Sequence, residues 1–212
     1  MSTFARSFPL GAAVVAATLA VLSAAPAQAA KLRPQNLTQL IADAQLIVAG
    51  EVKNVTDGVS PTGLPYTEIT LAVQDSAKGD LRGGAQYKFR QFGLVAPRKM
   101  PNGTMLLAVS PEGFPRWQEG ERVIAFLHKP ASQTGLQTTA GLAQGKLNVL
   151  NGNVFNEFNN RGLFDGVKVT AGLLSAKEQA MLASQGPVDA ATFVGLVGRA
   201  VSENWVKTGE MR

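Results

Sequence analysis

The chain has 212 residues, no cysteine, one histidine and a formal net charge of +5. Without cysteine it cannot form disulfides or thiolate metal sites, and a single histidine argues against zinc and copper, so we expect no metal and no cofactor. Charged residues make up 17% of the chain, which argues for a sparsely charged surface rather than disorder. The positive net charge permits loose attraction to anionic lipids, polysaccharides or nucleic acid.

The first 29 residues predict an export signal. Residues 1–6 carry one positive charge, residues 8–22 are apolar, and Ala27-Gln28-Ala29 fits the small-x-small cleavage rule. We expect cleavage after Ala29, a mature chain that begins at Ala30, and a periplasmic or extracellular location. The alternative is an uncleaved membrane anchor, but the apolar core is short for a span of about 20 residues.

The next segment predicts a helix followed by a series of strands. Asn36 is a suitable N-cap for a short helix over residues 37–43. A strand over residues 46–52 contains Gly50, which is typical of a bulge or a sharp bend. Alternating or continuous apolar residues predict further strands, in chain order, at 67–73, 87–91, 105–109, 123–127, 146–150 and 153–158.

The C-terminal part carries turn and helix signals. Asn151-Gly152 favours a type I′ hairpin turn that sets Val149 opposite Val154. Ser175 and Glu178 have capping-box spacing, Asp189 can cap a last helix, and the apolar stripe of that helix falls within residues 193–201. Two glycines inside this helix lower its propensity, so we expect close packing there; they are Gly195 and Gly198.

This order of elements predicts an α+β fold. We expect a small bent antiparallel sheet or an OB-like β-barrel, with a short N-terminal helix and two C-terminal helices. The barrel-like domain is expected to span residues 30–170, and residues 171–212 are expected to form helices packed on the same domain. We predict no membrane span after signal cleavage.

Five short blocks resemble a known family. Residues 42–52, 67–73, 78–80, 119–127 and 144–147 look like a family of exported bacterial proteins of unknown function. The opening blocks also resemble the first strands of netrin-like modules of the tissue-inhibitor type, which are OB-fold barrels. That resemblance implies a barrel but no shared activity, because those inhibitors depend on an N-terminal cysteine and on disulfides.

A long irregular stretch, residues 93–120, carries the best candidate binding residues. Phe114, Arg116 and Trp117 can form a recognition surface, although the favoured interpretation is that Phe114 and Trp117 pin the stretch to the sheet, because tryptophan is usually largely buried. The nearest approach to a basic cluster has two residues before this stretch and two within it: Lys88, Arg90, Arg98 and Lys99. We expect these cations to form a solvated face rather than a nucleic-acid site, because basic residues are otherwise scattered.

These observations predict an exported, non-enzymatic binding or envelope-associated protein. The expected partner is an unknown protein or glycan at the cell envelope, with no specific nucleic acid. The alternative is a hydrolase that uses carboxylates, with Glu119, Glu121 or Asp75 as candidates. A third hypothesis is an envelope-assembly subunit that uses the helix at 193–201 as its interface.

Overall fold

The computed structural model describes residues 34–107 and 109–212, so the predicted signal at residues 1–29 and its cleavage site lie outside the described residues. Residues Leu32–Arg212 form one compact unit. Its strands are β1 (Leu46–Val59), β2 (Pro65–Lys78), β3 (Gln86–Phe92), β4 (Arg98–Lys99), β5 (Met105–Leu106), β6 (Arg122–Leu127), β7 (Lys146–Leu150), β8 (Asn153–Asn156) and β9 (Val188–Asp189). Its helices are α1 (Leu37–Asp43), α2 (Ala176–Leu182), α3 (Ala190–Ser202) and α4 (Trp205–Thr208).

Six strand pairings confirm an antiparallel sheet, which is accompanied by helices. The sheet has seven strands in the order β3-β2-β1-β6-β7-β8-β9, and β4 and β5 pair separately as a hairpin. Each neighbouring pair in the sheet is antiparallel. The predicted α+β class is therefore correct.

The sheet does not close into a barrel, so the expected OB-like barrel is wrong. Strands β3 and β9 end the sheet order, and no ladder joins them within the described residues. After β6 the chain returns to β3 at one isolated bridge, between Arg90 and Leu136, and at a hydrogen bond from Tyr87 to Gln137. A second isolated bridge, between Leu127 and Thr139, joins the same segment to β6. The strands that follow extend the sheet on the far side of β6 instead of returning to β3.

The two faces of the sheet bury two separate apolar clusters. One cluster joins the sheet to the helices and includes Phe126, Phe193 and Trp205. The other lies on the opposite face and includes Ile69 and Trp117. Adjacent residues of β1 and β6 supply both clusters, which explains why these two strands are continuously apolar rather than alternating.

Gly50 lies at a bulge in β1, the strand between β2 and β6. The pairing of β1 with β2 shifts register between Ala49 and Gly50, which confirms the predicted bulge. A Cβ atom at Gly50 would overlap the backbone carbonyl oxygen of Ala72 on the adjacent strand. The close approach of these two backbones therefore requires glycine.

The predicted hairpin turn and helix caps are confirmed, whereas the close packing expected at two helix glycines is not. Asn151 and Gly152 have φ angles of 49° and 76°, as a type I′ turn requires, and Val149 pairs with Val154. The Asn36 cap of α1, the capping box of α2 and the Asp189 cap of α3 all form. The expected close packing at Gly195 and Gly198 is wrong, because an added Cβ would meet nothing within 4 Å at either position.

A buried carboxylate joins α2 to α3. The side chain of Glu178 accepts hydrogen bonds from Arg199 Nη2 at 2.6 Å and from Ser175 Oγ at 2.7 Å. Burial alone would raise the pKa of Glu178, but the bonds from Arg199 and Ser175 outweigh burial and lower that pKa. The ionised form of Glu178 therefore stabilises the packing of the two helices.

Two glycine substitutions should have opposite effects on stability. We expect Gly50→Ala to lower the free energy of unfolding by about 1–3 kcal/mol, because the new methyl group overlaps the backbone of β2. We expect Gly195→Ala to raise it by about 0.5–1 kcal/mol, because the helix gains propensity without a clash. Urea unfolding of both variants checks the pair, and a stabilised Gly50→Ala variant would contradict the bulge geometry.

The Glu178 network should make stability depend on pH. Because the folded-state pKa of Glu178 lies below its usual value of 4.5, its contribution is complete above about pH 4.5 and is lost as the pH falls through the lower folded-state value. We expect Glu178→Gln to lower the free energy of unfolding by about 2 kcal/mol at pH 7. The difference from the wild type should shrink at pH 3, whereas the exposed control Glu112→Gln should track the wild type; an unchanged difference would contradict the assignment.

Candidate binding site on the long loop

The long loop, residues 93–120, is closed at its base by a glycine. Gly93 has a φ of 102°, and a side chain there would collide with the backbone of Ser110. This approach lets Ser110 N donate to Leu94 O at 3.1 Å. The chain between these two positions carries the β4–β5 hairpin, in which Lys99 pairs with Met105.

Trp117 pins the long loop to the sheet rather than facing solvent. It is 7% exposed, and its ring packs edge-on against Phe89 with 5.3 Å between ring centroids. Its Nε1 donates to Gln91 Oε1 at 3.2 Å, and Gln91 Nε2 donates to Pro115 O at 3.0 Å. The structure therefore favours the pinning role for Trp117, and Phe114 beside it is half-buried.

Three of the predicted basic residues are paired within the chain. Lys88 and Arg90 both contact Glu68, at 3.3 Å and 2.7 Å. Arg98 contacts Asp57. The hydrogen bond from Arg90 is the main cause of the lowered pKa of Glu68. Burial raises the pKa of Asp57, but the contacts with Arg98 and with nearby backbone N–H groups outweigh burial and lower it. Three cations therefore face two carboxylates, because Lys88 and Arg90 share Glu68, and this partial compensation weakens the case for a polyanion site.

The remaining two predicted cations are differently placed. Lys99 and Arg116 are both exposed. Neither lies within ion-pair distance of a carboxylate in the part of the chain that the structure describes. These two positive charges are therefore available to a binding partner.

The structure adds an apolar feature that the sequence analysis missed. Four aliphatic side chains on the long loop are between 43% and 70% exposed, and we call them the apolar rim: Val95, Met105, Leu107 and Val109. The sequence pattern predicts only a short strand over residues 105–109. The signal in the sequence was a run of aliphatic residues inside a proline-rich segment that has too little length to build its own core.

A cavity lies under the long loop, beside the apolar rim. It has a volume of about 330 Å³, and we call it the loop cavity. Its buried lining includes Thr67, Gln91 and Trp117, and its exposed lining includes Val95 and Arg116. The loop cavity thus combines a fixed polar base with an aliphatic and cationic edge.

The carboxylates considered for hydrolysis are occupied by structural contacts. Glu119 Oε1 accepts from Val55 N at 3.0 Å, which ties the end of the long loop to β1. Glu121 Oε2 accepts from Lys146 Nζ at 2.6 Å. Burial lowers the pKa of Lys146, and the contact with Glu121 opposes that shift. Asp75 is exposed and accepts from the adjacent Ser76 N at 2.8 Å.

The helix proposed as an interface is buried in its own chain. Phe193, Leu196, Val197 and Ala200 of α3 all belong to the helix-side apolar cluster. Their stripe is therefore buried within the chain and offers the envelope-assembly hypothesis no docking surface.

Three further findings bear on the candidate chemistry. Within residues 34–107 and 109–212, no group of three His, Asp or Glu side chains is placed to hold a metal ion. Over the same residues, no helix has the length and apolarity that a membrane crossing requires. His128 is half-buried at the end of β6, where its Nδ1 lies 3.3 Å from the backbone oxygen of Asp43.

Comparison with known proteins assigns no relative. No family model matches the sequence, and no curated protein matches it. The resemblance to exported bacterial proteins and to netrin-like modules therefore stays a prediction.

Substitution of Trp117 should affect stability far more than substitution of its neighbour. We expect Trp117→Ala to lower the free energy of unfolding by about 3–5 kcal/mol, because it empties a packed site and leaves Gln91 Oε1 without its donor. We expect Arg116→Ala to change it by less than about 0.5 kcal/mol. Denaturant unfolding measures both, and a fully stable Trp117→Ala variant would contradict the pinning role.

Proposed function

We propose that this is an exported, non-enzymatic protein that binds a partner at the cell envelope through the apolar rim and the loop cavity. One observation carries the proposal. Of the six large hydrophobic residues exposed in the described part of the chain, four belong to the apolar rim. Exposed aliphatic residues gathered in one segment are typical of interaction sites, whereas single ones are ordinary.

The base of the long loop supports a binding role. Trp117 and Gln91 hold the lining of the loop cavity in place, so the apolar rim rests on a fixed support. A site held rigidly before binding loses less conformational entropy when a partner arrives. Of the residues first predicted for binding, Arg116 contributes to the edge of the site and Trp117 to its base.

Binding is a better proposal than hydrolysis for this geometry. The oxygens of Glu119 and Glu121 already accept bonds that hold the long loop and Lys146. Hydrolysis of a glycoside needs two carboxylates facing each other across a substrate cleft. The predicted export signal supports a partner in the periplasm or outside the cell.

The proposal predicts that the apolar rim is needed for retention on envelope material. We expect the double variant Val95→Ser, Leu107→Ser to bind a washed envelope fraction at least about tenfold more weakly than the wild type, because it removes two exposed aliphatic contacts. The measurement is a binding curve by sedimentation of the fraction with increasing protein.

Leu150→Ser is the matched control, because Leu150 is 58% exposed but lies on the β7–β8 hairpin away from the long loop. It should bind like the wild type, and circular dichroism should show that all variants fold. Equal retention of the double variant and the wild type would overturn the proposed function.

A further inference from the structure

We infer that the partner of the apolar rim is the surface of an anionic lipid bilayer. This inference rests on the proposed function, because it names the partner of the same site. The aliphatic side chains would enter the boundary between headgroups and acyl chains, and the neighbouring cations would contact the lipid phosphates.

The form of the apolar rim fits a bilayer. Met105 and Leu107 lie on or next to the second strand of the β4–β5 hairpin and are 55% and 70% exposed. The four side chains of the apolar rim are apolar and carry no strong hydrogen-bonding atom that needs a directed partner. A lipid interface accepts such groups because it needs no complementary shape, only apolar area beside the headgroups.

The distribution of charge favours anionic lipid. Lys99 is the cross-strand partner of Met105, so an exposed cation stands at the same level of the hairpin as an exposed apolar side chain. Arg116 lines the loop cavity together with Val95 and Val109. Long basic side chains beside aliphatic ones can bury their methylene stems and place their charges among phosphates.

The position of the cations, not the net charge of the long loop, supplies this arrangement. Between residues 93 and 120 the carboxylates are Glu112 and Glu119, which equal Lys99 and Arg116 in number but do not line the loop cavity, and Glu119 accepts from Val55 N on β1. Arg98 on the hairpin is compensated by Asp57, so the attraction to lipid phosphates comes from Lys99 and Arg116, which lie beside the apolar rim. The whole sequence carries +5, and +4 remains without Arg6 of the predicted signal.

The test uses lipid vesicles of two compositions. The protein is the chain from Ala30, which keeps the compact unit Leu32–Arg212 and every residue of both apolar clusters. Vesicles of phosphatidylcholine alone are compared with an equimolar mixture of phosphatidylcholine and phosphatidylglycerol. We expect cosedimentation with the mixed vesicles, weakened by added salt, and little binding to phosphatidylcholine alone.

Two variant pairs separate insertion from charge attraction. Val95→Ser with Leu107→Ser should weaken binding to the mixed vesicles by about tenfold or more. Lys99→Gln with Arg116→Gln should weaken it by about fivefold for each charge removed. The matched controls are Leu150→Ser and the charge pair Lys129→Gln with Arg161→Gln, all exposed positions outside the long loop, and each should bind like the wild type or nearly so.

A fluorescence probe tests insertion directly. We expect Leu107→Trp to shift its emission to shorter wavelength when mixed vesicles are added, because the indole leaves water. Leu150→Trp should show no shift. The two native tryptophans are buried, and because Trp117 lines the loop cavity, the wild type measured with the same vesicles supplies the background that is subtracted.

Each other outcome overturns the inference in a recognisable way. If mixed vesicles do not bind but Val95→Ser with Leu107→Ser still loses envelope retention, the partner is a protein or a glycan and the proposed function stands. If binding depends on Lys99 and Arg116 but not on the apolar rim, insertion is refuted. If light scattering shows a dimer that Leu107→Ser dissociates, a second copy of the chain covers the apolar rim and the lipid inference is refuted. If neither envelope retention nor vesicle binding responds to substitutions in the apolar rim, the proposed function fails as well.

Discussion

The whole arrangement depends on the unequal pairing of strand β1. Its first half pairs with both β2 and β6, but β6 reaches only as far as Glu51, while β2 continues to Val59. The free edge that remains must find other partners for its backbone groups. The end of the long loop supplies them: Val52 N donates to Glu121 O at 2.8 Å, and Gly120 N donates to Val52 O at 2.8 Å. One strand thus holds both the core and the candidate site.

The extension of β1 beyond β6 also helps to hold the long loop at both ends, so that one set of residues anchors the loop and another set is exposed on it. Asp57, near the end of β1, accepts from Val95 N at 2.9 Å and from Arg98, so the strand extension also reaches the start of the long loop. Trp117 and Gln91 fix the other end against the second apolar cluster. Because both ends of the long loop are bonded to the sheet, the exposure of its aliphatic side chains does not come from a loose segment.

Elements that depend on residues close together in the sequence could be predicted, whereas elements that depend on residues far apart in the sequence were missed. The caps at Asn36 and Ser175 and the turn at Asn151 depend on residues a few positions apart, so their patterns are sufficient. Barrel closure depends on whether β3 meets a strand far along the chain, and no local pattern specifies that. The pairing of Arg98 with Asp57 joins residues 41 positions apart, so the sequence could not show that part of its basic cluster is neutralised. Strand β9 and helix α4 have two and four residues, too few for a periodic signal.

Because three of the predicted cations are paired within the chain, the two that are unpaired among the described residues, Lys99 and Arg116, are the ones that can attract a partner. Two surface cations contribute only about 1 kcal/mol each to binding an anionic bilayer, which is too weak alone for stable attachment. Aliphatic side chains without charge would not distinguish one lipid surface from another, since their transfer depends on area. Lys99 beside Met105 and Arg116 beside Val95 combine both contributions at one place. Because neither contribution is sufficient, such a site would attach reversibly and respond to the anionic content of the membrane, as combined weak signals do in peripheral membrane proteins.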